Sequence, residues 1–215
     1  PSSAITVVDD LILPGDFDFK WTVTRGDCSS SDIVTVTNNT VYANAGNDEP
    51  TCNDSVKLIA VEDLTAAGTW TPISASSSTI ITSSLTAETI IRNLRPGTSL
   101  FRWTLEKGTC TDYDEVQAIN NSVKAVATDV TICQLPSQLT ASPPTGGATG
   151  LWTNLSPSPI NFIDGNTLFN TRIDGILEDD IAILKWKVSN SYCSDSTLIM
   201  ATNNSFDISA GVNDT

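Results

Sequence analysis

The chain has 215 residues, 40% of them hydrophobic, and a net charge of -14 from 25 acidic and 11 basic side chains, with no histidine. So acidic a surface repels nucleic acid and anionic lipid, and neither is an expected partner. No apolar run approaches the ~18 residues of a membrane-spanning helix, so no membrane insertion of this segment is expected.

Only 17% of the residues are charged. Thr, Ser, Asn and Val are abundant, a mixture that suits β-strands and polar turns better than helices. The chain opens on Pro1 without a signal-peptide pattern and reads as an interior piece of a longer protein.

In chain order, Ile5–Val8 and Leu11–Leu13 are short apolar runs, and Pro14-Gly15 is a turn signal. From Phe17 to Thr24 the pattern alternates, with Phe17, Phe19, Trp21 and Val23 on one face, the period of a half-buried strand. A polar turn carrying Cys28 follows, then a strand over Ile33–Thr37 and a closing Asn38-Asn39-Thr40.

Residues 41–122 read as a complete repeat. Strands are expected at Val41–Ala45, Val56–Val61, Thr69–Ile73, Thr79–Thr82, Thr89–Leu94, Leu100–Leu105 and Glu115–Ile119, with turns at 46–50 and at Arg95-Pro96-Gly97. Residues 123–205 follow the same plan. The two intervals that separate Trp21, Trp103 and Trp186 differ by a single position, and Cys28, Cys110 and Cys193 repeat them without drift. Cys133 follows Cys52, and Trp152 follows Trp70, by nearly the same interval. A fixed period of this length marks an array of like modules. The expected organisation is the end of one repeat (1–40), two whole repeats (41–122 and 123–205) and the start of another (206–215). Six or seven short strands per repeat imply an all-β chain of tandem immunoglobulin-like antiparallel β-sandwich domains arranged end to end.

Five cysteines without a CxxC pair point to disulfides in an oxidising compartment rather than to zinc. Each complete repeat holds two, so the expected bonds are Cys52–Cys110 and Cys133–Cys193, with Cys28 left over from a repeat that is not whole.

Without histidine the commonest general base and metal ligand are both missing. No GxSxG, phosphate-loop or HExxH motif is present, and the carboxylate pairs Asp9-Asp10, Asp112/Asp114 and Asp179-Asp180 fall in turn-like stretches. No enzymatic activity and no cofactor are therefore expected. Asp48, Asp129 and Asp214 recur near the start of each repeat and read as turn caps, with Ca²⁺ at the repeat junctions as the alternative. The five tryptophans read as core, and Asn38, Asn120 and Asn203, each opening an N-x-S/T triplet, as turn residues rather than glycan acceptors.

The run from Ala43-Asn44-Ala45-Gly46-Asn47-Asp48 through Cys52, Gly68-Thr69-Trp70, Asn93-Leu94-Arg95-Pro96-Gly97-Thr98, Arg102-Trp103-Thr104, Cys110 and Asp114-Glu115-Val116 to Asn120 resembles the repeats of giant Bacteroidetes cell-surface proteins, the SprB-like gliding-motility adhesins. The third repeat departs at Val126-Ala127-Thr128 and lacks the Pro-Gly turn. The resemblance implies export by the type 9 secretion system, display on the outer surface of a bacterium, and work with the gliding machinery. An extracellular surface or polysaccharide would be the adhesion target. It also implies O-glycosylation at Asp-Ser/Thr-apolar triplets, to which Asp54-Ser55-Val56 and Asp195-Ser196-Thr197 are similar. The expected function is a non-enzymatic stalk segment of such an adhesin. A glycan-binding or spacer array attached to a secreted enzyme is the alternative, with exposed Tyr42 or Tyr113 as its stacking platform.

Overall fold

The computed structural model describes residues 3, 5–206, 208 and 211, so Asp214 and the echo of a repeat start at Ala210 lie outside the described residues. Among the described residues every regular element is a strand. The chain divides into two compact units, Pro1–Glu49 with Ser55–Ile119, and Pro50–Asp54 with Asn120–Thr215.

The first unit begins with a hairpin of β1 (Gly15–Arg25) and β2 (Cys28–Asn38), paired from Gly15↔Asn38 to Arg25↔Cys28. Gly26 and Asp27 turn it, with Gly26 at φ +58°, the left-handed geometry that two-residue hairpins favour. The alternating aromatic face is there, but among the described residues no second sheet covers it. Trp21 is 37% exposed, whereas its counterpart Trp103 is 2% exposed.

The middle repeat continues with β3 (Glu49–Thr51), β4 (Val56–Ile59), β5 (Ala67–Ser74), β6 (Ile80–Ile81), β7 (Glu88–Arg92), β8 (Gly97–Lys107) and β9 (Cys110–Asn120). One sheet has the order β3-β9-β8-β5 and the other β4-β7-β6. Leu58 and Ile91 from the smaller sheet meet Trp70, Phe101, Trp103, Leu105, Val116 and Ala118 from the larger in one core.

The second unit repeats this with β10 (Val130–Ile132), β11 (Ser137–Gln138), β12 (Thr149–Asn154), β13 (Asn161–Phe162), β14 (Arg172–Asp174), β15 (Ile181–Ser189) and β16 (Ser194–Asn203). Its sheets are β10-β16-β15-β12 and β11-β14-β13, packed around Trp152, Ile173, Leu184, Trp186 and Val188. The first strand thus lies beside the last, and the sixth separates the last from the third. That four-plus-three sandwich is immunoglobulin-like.

Two details differ from the expected strands. β10 runs parallel to β16, pairing Val130 with Ala201 and Ile132 with Asn203, while β15 and β16 form the expected antiparallel hairpin. Val41–Ala45 forms no backbone ladder. The N–H groups of Ala43 and Ala45 donate instead to the carboxylates of Asp112 and Asp114, at 2.8 and 2.9 Å. Val41 and Ala45 still point into the core. The apolar alternation is real there, but side chains rather than carbonyls accept the hydrogen bonds.

Each core is pinned by a tryptophan pair. The rings of Trp70 and Trp103 are 5.2 Å apart and those of Trp152 and Trp186 4.9 Å, both tilted. Such pairs add about 0.5–1.5 kcal/mol beyond the area they bury. Trp70 and Trp152 donate their indole N–H to the carbonyls of Ala87 and Leu168.

Candidate functional site

The feature with the largest chemical consequence is a disulfide between Cys52 and Cys193, whose Cα atoms are 5.6 Å apart. It corrects the expected pairing: Cys52 does not bond Cys110, nor Cys133 Cys193, and Cys28, Cys110 and Cys133 are free thiols. Both bonded residues lie in the second unit, because Pro50–Asp54 belongs to it. The reason is local. The carbonyl of Thr51 accepts from the Asn121 N–H at 2.8 Å. Asn190 donates from Nδ2 to the Asn121 carbonyl at 2.9 Å and accepts from the Cys193 N–H at 2.7 Å. Asn121 therefore brings the residue before Cys52 and the turn holding Cys193 to one place, within the short Cα separation a disulfide requires. In sequence terms the bond joins the opening cysteine of one repeat to the closing cysteine of the next.

The asparagines that close each repeat share one role. Asn203 donates from Nδ2 to the carbonyls of Ile176 and Leu177, at 3.0 and 3.1 Å, and accepts from the Ser205 N–H. Asn38 makes the matching bonds to the carbonyls of Leu11 and Leu13 and accepts from the Thr40 N–H. Asn120 is buried and accepts from Ser122 in the same way. Amides engaged in this way are structural, as the turn reading of these triplets expects.

The recurring acids accept from the last strand of their sandwich rather than from their own turn, a correction to the turn-cap reading. Asp48 accepts the N–H of Gln117 in β9, and Asp129 accepts the N–H of Met200 in β16, each at 2.8 Å. Asp195 holds the Ala125 N–H at 2.8 Å, as Asp112 holds Ala43. These oxygens face peptide donors, and among the described residues no three Cys, Asp or Glu side chains cluster in a way that could hold a metal ion.

Three carboxyls are held below their ordinary pKa. Hydrogen bonds from Arg172 bring Asp164 to about 2. Bonds from Ser158 and the Ile181 N–H lower Asp180, and those from Thr65 lower Asp63. All three therefore stay ionised and act as acceptors at neutral pH, the opposite of a general acid.

Of the aromatic platforms, Tyr42 and Tyr113 are both exposed, and one face of the Tyr113 ring is covered by the Arg102 guanidinium 3.9 Å from its centre. Glu115 fixes that guanidinium through bonds of 3.0 and 2.6 Å. Ser196 lies exposed on β16, and Ser55 is half-buried just before β4. The junction network around Asn121 is hidden from sequence reasoning. Its only trace there is the repeated Asn-Asn pair.

Neither a family model nor a curated protein sequence matches the chain. Among solved structures, the I67–I69 fragment of the titin I-band is similar over 76% of this chain at 10% identity and a TM-score of 0.36, and the chain spans 65% of that fragment. Extracellular domains 3–5 of Drosophila OTK are similar over 89% of this chain and 71% of that one, at 11% identity and a TM-score of 0.41. An endo-fucoidan hydrolase of glycoside hydrolase family 107 is similar over 91% of this chain but 35% of that one, at 12% identity and a TM-score of 0.30. Likenesses this slight add nothing to the sheet order, which itself makes the chain a tandem immunoglobulin-like β-sandwich repeat.

Proposed function

We propose that this chain is a load-bearing stalk segment of a large secreted adhesin on a bacterial cell surface, serving adhesion and gliding motility. One observation carries the reading: the Cys52–Cys193 bond ties the opening of one sequence repeat to the end of the next. A covalent tie across 141 residues resists extension, which is what a spacer under tension needs. The disulfide suits an oxidising, extracellular setting. The acidic surface is soluble and self-repelling. The resemblance of the repeat to gliding-motility adhesins supplies the rest of the reading, namely type 9 export, coupling to the gliding machinery, and an external surface or polysaccharide as target.

The reading is tested by antibodies raised against the chain. They should label intact, unpermeabilised cells of the organism that makes it, and their Fab fragments should slow attachment and gliding. Labelling only after permeabilisation would overturn it. Binding to a soluble glycan panel that is lost in Tyr42→Ala would replace the stalk with a glycan-binding array.

A further inference from the structure

We infer that the disulfides of this repeat are interlaced: the cysteine opening each repeat bonds the cysteine closing the next, so successive bonds overlap along the array. The rule accounts for all five cysteines. Cys52 opens the middle repeat and Cys193 closes the third, and these two are bonded. Cys133 stands where Cys52 does, one repeat on, and its partner would be the closing cysteine of a following copy. Cys110 and Cys28 stand where Cys193 does, and their partners would be the opening cysteines of preceding copies. All three are free thiols here. Pairing within repeats would instead have joined Cys52 to Cys110 and Cys133 to Cys193.

Two of the free cysteines, Cys133 and Cys110, are already held in settings like those that produced the bond. The carbonyl before Cys52, on Thr51, accepts from Asn121, and the carbonyl before Cys133, on Ile132, accepts from Asn204, both at 2.8 Å. Asn121 and Asn204 are the second asparagines of equivalent junctions. Cys133, which opens its repeat, is thus anchored beside the junction that closes it, with an exposed side chain, as Cys52 is anchored beside Cys193. At the other side, the turn that precedes Cys193 contacts Asn121 through Asn190. The turn that precedes Cys110 reaches the equivalent Asn39, whose Nδ2 lies 3.0 Å from where a Cβ on Gly108 would stand. Docking of both partners is therefore a property of each junction.

Each bond forms by thiol–disulfide exchange with a disulfide oxidant such as oxidised glutathione. Two protein thiols become one disulfide, and the oxidant takes two electrons and two protons and leaves as two thiols. In an array so linked, tension crosses from one bond to the next through short stretches such as the one between Cys110 and Cys133. That stretch holds β9 and β10, so one strand of each sandwich lies in the load path while the others are bypassed. This connectivity goes beyond the adhesin reading and holds whatever surface the parent protein serves.

The test lengthens the full chain by a second copy of residues 123–205 placed after Ser205, refolds it with oxidised glutathione, and counts thiols by alkylation and mass. The lengthened chain has seven cysteines and should keep three thiols. With Cys133→Ala, an exposed position, it should keep four, because the closing cysteine of the added copy loses its partner. Two thiols in that variant would mean the added copy closes on itself and would overturn the inference. Six, with no bond formed, would overturn it as well.

Discussion

Gly68 lies against the six-membered ring of Trp103, and Gly150 stands in the same relation to Trp186, so that a Cβ at either position would overlap the indole. Each glycine is two residues before the tryptophan that packs on that same ring, which explains why Gly-x-Trp recurs. The tryptophan of the neighbouring strand fills the space a side chain would take.

Gly68→Ala and Gly150→Ala should each destabilise their own sandwich by about 1–3 kcal/mol, the usual cost of overfilling a core. Near-ultraviolet circular dichroism should show the altered tryptophan environment before secondary structure is lost. Urea titrations read by tryptophan fluorescence should place the effect in the substituted unit alone. An unchanged midpoint would mean the indole moves aside without cost.

Asn203→Ala should remove the acceptor for the Ser205 N–H and the donor for two carbonyls at a buried site. Leaving buried groups unpaired costs about 1–3 kcal/mol each. A loss of about 2–4 kcal/mol in the second unit is expected from chemical denaturation. A midpoint indistinguishable from that of the unsubstituted chain would show that water replaces the amide.

Much of this architecture is legible in the sequence, because period-2 runs such as Phe101, Trp103 and Leu105 mark strands, and the repeat spacing marks equivalent positions. The equivalence of Asp48 and Asp129 is legible too, since they recur at matching places, but their partners on β9 and β16 are not. Disulfide connectivity is not. Counting two cysteines per repeat pairs Cys52 with Cys110, yet a bond depends on where Pro50–Asp54 packs, and that follows from one backbone bond between Thr51 and Asn121. Periodicity says nothing of that bond. Nor does it separate a ladder strand from Val41–Ala45, whose N–H groups are taken by aspartates. For the same reason the exposed face of Trp21 is legible only as apolar, since its cover would come from another strand.

The Asp164–Arg172 pair supplies a pH dependence. With its folded pKa at about 2, below the ~3.9 of an unfolded aspartate, Asp164 adds stability that is complete above pH ~4. That contribution fades as pH falls toward 2. Asp164→Asn should remove this part of the acid limb, so that melting temperatures of wild type and variant converge between pH 4 and 2. Curves that stay parallel would show that the pair contributes nothing to folding.

The most direct measurement is single-molecule stretching of the chain from its two ends, oxidised and then reduced. The Cys52–Cys193 bond removes 141 residues from the extensible path. At about 3.4 Å per residue, reduction should therefore lengthen the fully extended chain by about 480 Å in one step. Two separate gains of about 200 Å, one from the loop between Cys52 and Cys110 and one from that between Cys133 and Cys193, would mark bonds within each repeat instead. Either that pattern or an unchanged length would contradict a stalk locked from one repeat to the next.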